Sequence, residues 1–172
     1  MTNKKTGVIT FKGNPVTLVG PDIKVGDSAP EFKVVTNSLQ PVTLSDGAGK
    51  IQLIAVVPSL DTGVCDTMTR RFNQDAAALP EDVITYTISL DLPFAQSRWC
   101  GNAGIERVKT LSDYQERSFG LAYGLLIDEL KLLARAVYVI DQDGKVAYRE
   151  IVGEVTAEPD YAAAIAAVKA LL

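Results

Sequence analysis

Histidine is absent from this chain of 172 residues. Histidine is the usual general base beside a cysteine or serine nucleophile and a common metal ligand, so histidine-dependent nucleophile pairs and metal sites are excluded. Only two cysteines are present, and without histidine they are too few for a structural zinc site. Any chemistry must come from cysteine, threonine, arginine, lysine, tyrosine or the carboxylates. We expect neither a metal nor a cofactor.

The chain also lacks long apolar runs and a strong excess of either charge. The apolar stretch LIAVV at 53–57 is far shorter than the ~18 residues that span a membrane. The N-terminal stretch GVITF is interrupted by Lys12 before it reaches the ~7–15 apolar residues of a signal peptide. The net charge is −4, whereas nucleic acid binding needs a basic face. We expect a cytoplasmic protein that binds neither membranes nor nucleic acid.

The length fits a single domain over residues 1–172, and 47% hydrophobic residues suffice for an apolar core. Apolar and β-branched runs predict strands, and apolar spacings of about four predict helices. We predict strands or hairpins over 7–20, 26–37, 40–50, 51–59, 82–90, 108–113 and 134–153. We predict helices over 65–79, 93–104 and 158–172, and a short helix or turn over 116–124. This order predicts an α/β fold: a central mixed sheet with helices on both faces, preceded by a β-hairpin within residues 1–20.

The segment PSLDTGVCDTMTRRF, at 58–72, places Cys65 where a helix is predicted to begin. Unpaired N–H groups and the helix dipole stabilise negative charge there, and the thiolate is the nucleophilic form of cysteine. Thr62 lies one turn earlier, so its hydroxyl can point to the same place, and Pro58 can shield the sulfur from water. The alternative is that Cys65 is an inert buried thiol, as free cysteines often are.

Cys100 lies in the second predicted helix, within QSRWCGNAG. A structural disulfide with Cys65 is one interpretation, although such bonds are uncommon in the cytosol. A redox couple is another, in which one cysteine is oxidised to sulfenic acid and the other condenses with it. Gly101 and Gly104 would ease the movement that this requires, or they simply end the helix.

Several segments together resemble a known family. PSLDTGVC fits the P-x-x-x-T-x-x-C signature of the peroxiredoxins. Further blocks resemble their thiol peroxidase subgroup: FKGNPVTL, GDSAPEF, LDLPFAQSRWCG, LLARAVYVID and VGEVTAEPDY. Because the resemblance covers essentially the whole chain in the same order, the sequence is identified as a member of this subgroup.

The resemblance implies a fold and a role for individual residues. The implied fold is thioredoxin-like, of the peroxiredoxin type, with an added N-terminal hairpin. Cys65 matches the peroxidatic cysteine, Thr62 the hydroxyl that bonds peroxide and thiolate, and Pro58 the shielding proline. Arg135 matches the arginine that stabilises the thiolate, and Cys100 matches the resolving cysteine.

The implied activity is thiol-specific reduction of hydrogen peroxide and alkyl hydroperoxides in antioxidant defence. The resemblance also implies an intrachain Cys65–Cys100 disulfide, thioredoxin as the reductant and a homodimer. One alternative is a redox sensor or chaperone-like protein that uses the same cysteine pair without turnover. Another is a thioredoxin-like domain in which the disulfide is purely structural.

Overall fold

A computed structural model describes residues 3–172, and within them the backbone forms eleven strands and four α-helices. The strands are β1 Lys4–Phe11, β2 Asn14–Val19, β3 Lys33–Val35, β4 Pro41–Thr43, β5 Gln52–Val56, β6 Ile84–Ser89, β7 Lys109–Ser112, β8 Leu126–Ile127, β9 Leu132–Leu133, β10 Ala136–Ile140 and β11 Val146–Ile151. The helices are α1 Gly63–Ala77, α2 Pro93–Ala103, α3 Ser118–Ala122 and α4 Tyr161–Lys169. Over residues 3–172, every helix is too short or too polar to cross a membrane.

Seven strands form the central sheet in the order β11-β10-β5-β6-β7-β3-β4. β5, β6 and β7 run parallel, and the remaining neighbours pair antiparallel. β5 is buried at every residue, which explains why its sequence is apolar throughout rather than alternating. The predicted mixed sheet is therefore confirmed.

Both faces of the sheet are covered. On one face, α1 and α4 supply the buried side chains Cys65, Met68, Phe72, Ala164 and Val168. On the other, the N-terminal hairpin and the segment around α3 supply Ile9, Val16, Leu18, Phe119 and Tyr123. Successive residues of β5 alternate between these two cores, as the period of a strand requires. The predicted helices on both faces are confirmed.

The N-terminal hairpin, β1 and β2, is also confirmed, and its first strand begins earlier than expected. The hairpin turns at Lys12 and Gly13, both with positive φ, and its second strand pairs with β8. β8 and β9 complete a separate four-stranded sheet. The sequence did not predict these two strands, because two residues are too few to show alternation.

Helix boundaries differ from the predictions by a few residues. α1 begins at Gly63, two residues before its predicted start, with Thr62 as its N-cap. α2 contains Gly101 and ends at Gly104, whose φ of 65° gives the left-handed cap. The last helix was predicted to begin at residue 158, but it begins at Tyr161, after the N-cap Asp160. The Asp160 side chain accepts a hydrogen bond from Ala163 N and so defines that start.

Candidate active site around Cys65

Cys65 lies in the first turn of α1, directly after the central strand β5 and a short loop. Its side chain is fully buried. The N-cap Thr62 accepts a hydrogen bond from Cys65 N at 3.4 Å and donates its own proton to Ser59 O at 3.1 Å. Both residues therefore lie at a helix N-terminus, as the sequence predicts. The backbone N–H groups of a first turn favour negative charge close to them.

The loop before α1 is held by Asp91, a residue that the sequence did not single out. Asp91 Oδ1 accepts from Ser59 Oγ at 2.7 Å, and Oδ2 accepts from Leu60 N at 2.8 Å. Asp91 follows β6 just as Ser59 follows β5, and these two strands are parallel neighbours. The carboxyl ends of adjacent parallel strands meet at one sheet edge. An acidic residue directly after β6 is therefore the sequence feature that could have indicated this contact.

Arg135 is buried, with 2% of its surface exposed. Its Nε donates to Val155 O at 2.8 Å, and its Nη1 lies 3.6 Å from Met68 Sδ. Met68 is one turn after Cys65 on the same face of α1, so the guanidinium approaches the helix on the side of the thiol. Among the residues the structure describes, no carboxylate oxygen lies within 4.0 Å of this cation. A buried charge without an ionic partner is costly, so the site is suited to an anion.

A pocket of about 420 Å³ opens beside these residues. It brings together three of the predicted site residues, Pro58, Thr62 and Arg135, and its other lining residues are Phe11, Lys12, Ser59, Gly63, Val64, Leu132, Val155 and Thr156. Cys65 follows directly after the lining residues Gly63 and Val64, but it is fully buried and is not itself among the residues that line the pocket. Pro58 is itself buried at the end of the loop, as expected for a residue that shields the sulfur.

One wall of the pocket depends on Glu154. Its carboxylate accepts from Gly13 N at 2.8 Å and from Thr156 N at 2.8 Å, and so connects the hairpin turn to the loop after β11. The hydrogen bond from Thr156 N contributes most, and together these bonds lower the pKa of Glu154 to about 2. The same loop presents Val155 O to Arg135. The sequence did not single out Glu154 as a site residue, because its partner Gly13 lies 141 positions away.

Cys100 is in different surroundings. It is partly exposed on α2, and its Sγ lies 3.2 Å from Thr110 Oγ1 on β7. Because Thr110 Oγ1 donates to Asn37 Oδ1, the thiol is the donor to Thr110. Both cysteines are free thiols. The structure therefore does not place Cys100 in contact with Cys65, and the intrachain disulfide stays a prediction.

The arrangement is that of a thiol-based redox site on a thioredoxin-like scaffold, and comparisons with known proteins agree. The Redoxin family profile matches residues 24–165. The chain is 60% identical to a thiol peroxidase of Bacillus subtilis over 95% of this chain and 98% of that protein. It is 58% identical to a thiol peroxidase of Staphylococcus aureus over 94% of this chain and 97% of that protein.

Solved structures give the same result. A peroxiredoxin-like protein from Aquifex aeolicus superposes with a TM-score of 0.91 at 46% identity, over 97% of this chain and 99% of that one. A thiol peroxidase from Chromobacterium violaceum, at 20% identity, shares the fold with a TM-score of 0.85 over 94% and 95% of the two chains. The chain therefore belongs to the Redoxin family, and within it to the thiol peroxidases, which are enzymes of the peroxiredoxin type.

Proposed function

We propose that this protein reduces hydrogen peroxide and organic hydroperoxides with Cys65 as the nucleophile. The observation that carries the proposal is a buried guanidinium, Arg135, which has no ionic partner within residues 3–172 and contacts Met68 on the helix whose first turn holds the buried Cys65 thiol. Both features favour an anion at the same place, and a thiolate is the anion that this site can supply. Peroxide reduction also needs neither a metal nor a histidine base.

The first chemical step is attack of the Cys65 thiolate on the terminal oxygen of the hydroperoxide. A sulfur–oxygen bond forms, the oxygen–oxygen bond breaks, and the alcohol leaves as its alkoxide takes up a proton. The Cys65 sulfur becomes a sulfenic acid. Thr62 and Arg135 are placed to donate hydrogen bonds to the peroxide oxygens, because both line the pocket, provided that the Thr62 hydroxyl turns away from Ser59 O.

The pocket also supports a class of substrate. Phe11, Leu132 and Val155 give it apolar walls, and a volume of about 420 Å³ accommodates more than hydrogen peroxide. We therefore include organic hydroperoxides, with the alkyl group against these walls. Because Cys65 is fully buried and does not itself line the pocket, its thiol must become accessible before a substrate in the pocket can react with it.

In the second step, Cys100 condenses with the oxidised Cys65 to give an intrachain disulfide and water. An external dithiol protein, thioredoxin, then reduces the disulfide and restores both thiols. We place this cycle in the cytoplasm, where dithiol systems keep such bonds reduced, and in a homodimer. These features are carried over from the peroxiredoxin resemblance, and the partial exposure of Cys100 is consistent with them.

A thiol count tests the proposal directly. Reduced protein is treated with one equivalent of hydrogen peroxide, and free thiols and intact mass are measured beside an untreated sample. Loss of both thiols, a mass decrease of about two hydrogens and no covalent dimer are expected. Two intact thiols would overturn the peroxidase function, and a covalent dimer would overturn the intrachain disulfide. Adding thioredoxin and its reductase then separates an enzyme from a sensor, because a sensor stops after one equivalent.

A further inference from the structure

Three side chains join the helix that carries Cys65 to the helix that carries Cys100. Trp99 Nε1 donates to Asp66 Oδ1 at 2.8 Å, and Arg70 Nε contacts Asp66 Oδ2 at 2.9 Å. Asp66 directly follows Cys65, and Trp99 directly precedes Cys100. We refer to Asp66, Arg70 and Trp99 as the α1–α2 clasp.

Arg70 extends the clasp to the last turn of α2. Its Nη1 donates to Ala103 O at 3.4 Å, a carbonyl at the helix end where intrahelical partners run out. Its guanidinium carbon also lies 5.7 Å from the centre of the Trp99 ring, within range of a cation–π interaction. The clasp therefore contacts α2 on both sides of Cys100.

The first half of α2 is attached by a separate and more deeply buried network. Gln96 is 1% exposed, and its Nε2 donates to Ser89 Oγ at 3.0 Å and to Leu111 O at 2.9 Å. The Arg70 side chain, in contrast, is 48% exposed. Buried hydrogen bonds are costly to leave unmade, whereas exposed ionic contacts exchange readily with water. The second half of α2 is thus the part that can move at lower cost.

The positions of the two sulfurs require such a movement. Cys100 Sγ is directed to Thr110 on β7, whereas Cys65 is enclosed by the core under α1. A disulfide joins residues whose Cα atoms are within ~7 Å and whose side chains point at one another. Turning Cys100 toward Cys65 displaces residues 99–103 relative to α1, and the clasp contacts cannot persist when that happens.

We propose that Asp66, Arg70 and Trp99 are positioning residues whose clasp holds the second half of α2 in the dithiol state, and that its release sets the rate of the resolving step. The inference rests on the proposed peroxidase function. In that step the Cys100 sulfur attacks the sulfur of the Cys65 sulfenic acid. The sulfur–sulfur bond forms, the sulfur–oxygen bond breaks, and the hydroxide leaves as water with the thiol proton.

The first test is Trp99→Phe, which keeps an aromatic ring in the core but removes the N–H that Asp66 accepts. Reduced protein is mixed with excess hydrogen peroxide, quenched with an alkylating agent at short times and analysed by intact mass. Sulfenic acid formation, which depends on peroxide concentration, should be unchanged. Disulfide formation, which does not depend on it, should be roughly three- to tenfold faster. Mass analysis is needed because Trp99 is the only tryptophan and the variant has no indole fluorescence.

A second variant and a matched control guard against a packing effect. Arg70→Gln breaks the exposed arm of the clasp without touching the core, and should accelerate disulfide formation about two- to threefold. Asp75→Asn breaks the same kind of i,i+4 ion pair on α1, with Arg71 at 3.2 Å, but this pair does not reach α2. The control should leave both steps unchanged.

Over-oxidation of Cys65 is a further readout, which would not change if the clasp residues had only a structural role. The peroxide concentration that over-oxidises half of Cys65 should rise in proportion to the faster resolving step. If wild type and both clasp variants form the disulfide at equal rates, or the variants form it more slowly, the clasp is overturned while the peroxidase function stands. If wild type forms no disulfide at all, the proposed function itself fails.

Discussion

The two cysteines differ in how firmly the fold holds their surroundings. Cys65 is fully buried in the first turn of a 15-residue helix, with core side chains around it and Arg135 close to the same face. Cys100 is partly exposed on an 11-residue helix, and its side chain forms a hydrogen bond with Thr110. A nucleophilic thiolate needs hydrogen-bond donors in fixed positions to stabilise its charge. A resolving thiol has to move toward the other cysteine, so the contacts that hold it must be weak enough to break. The difference agrees with the roles that we propose, nucleophile for Cys65 and resolving thiol for Cys100.

The largest effect on activity should come from replacing Cys65, the fully buried cysteine. Cys65→Ser replaces the thiolate with a hydroxyl that does not ionise at neutral pH, so turnover should fall by roughly 10⁴-fold or more. The measurement is hydroperoxide consumption with thioredoxin, thioredoxin reductase and NADPH. Sustained turnover in this variant would remove Cys65 from the chemistry and end the comparison between the two cysteines.

Removing the Cys100 thiol should stop the proposed cycle after Cys65 has been oxidised. Cys100→Ser should consume one equivalent of peroxide at a rate within about twofold of wild type, because the surroundings of Cys65 are intact. It should then accumulate sulfenic acid and, with excess peroxide, sulfinic acid. Intact mass after one and ten equivalents distinguishes these products. A slower first step would show that Cys100 also contributes to peroxide attack.

The third prediction concerns Arg135, the buried cation that approaches the helix carrying Cys65. Arg135→Lys keeps the charge but cannot bond Val155 O and reach the Met68 side of α1 at once. We expect kcat/KM for hydroperoxides to fall about 10- to 100-fold. Arg71→Lys, on an exposed arginine of α1, is the control and should change kcat/KM by less than about twofold. Equal effects of the two substitutions would remove Arg135 from the site.

The parts of this comparison that sequence could predict are the local ones. Pro58, Thr62 and Cys65 lie within one short segment, so their meeting at a helix start follows from the end of a buried strand and the onset of helical spacing. The fold class followed from the alternation of strands and helices. Arg135 was assigned only through family resemblance, because no local pattern distinguishes a buried arginine from an exposed one.

The remaining parts depend on contacts between distant segments. Asp91 bonds Ser59 across 32 positions, Trp99 bonds Asp66 across 33, and Glu154 bonds Gly13 across 141. Such pairs form only once the sheet order and helix packing are in place. For Asp91 the sequence offers its position just after a strand, and for the other two pairs no local pattern indicates the partner. Trp99 packs against the core, and its indole N–H also forms part of the clasp.

The smallest effect concerns Glu154, which supports the pocket wall on the side of Cys65. Its pKa is lowered to about 2 by the hydrogen bonds that it accepts, so it stabilises the folded state above its ordinary pKa near 4.5. That contribution is lost as the pH falls from about 4.5 to about 2. Glu154→Gln should therefore lower the unfolding temperature at pH 7, and its difference from wild type should disappear near pH 2.

The same variant should separate small from bulky substrates. A looser hairpin wall should raise KM for cumene hydroperoxide roughly two- to fivefold and leave KM for hydrogen peroxide unchanged, because only the bulky substrate needs the wall. Glu129→Gln is the matched control: Glu129 accepts a hydrogen bond from Thr17 N of the same hairpin, and Thr17 does not line the pocket, whereas Glu154 accepts one from Thr156 N, which does. If both variants raise KM equally, general loosening of the hairpin is responsible, and Glu154 has no particular part in shaping the pocket beside Cys65.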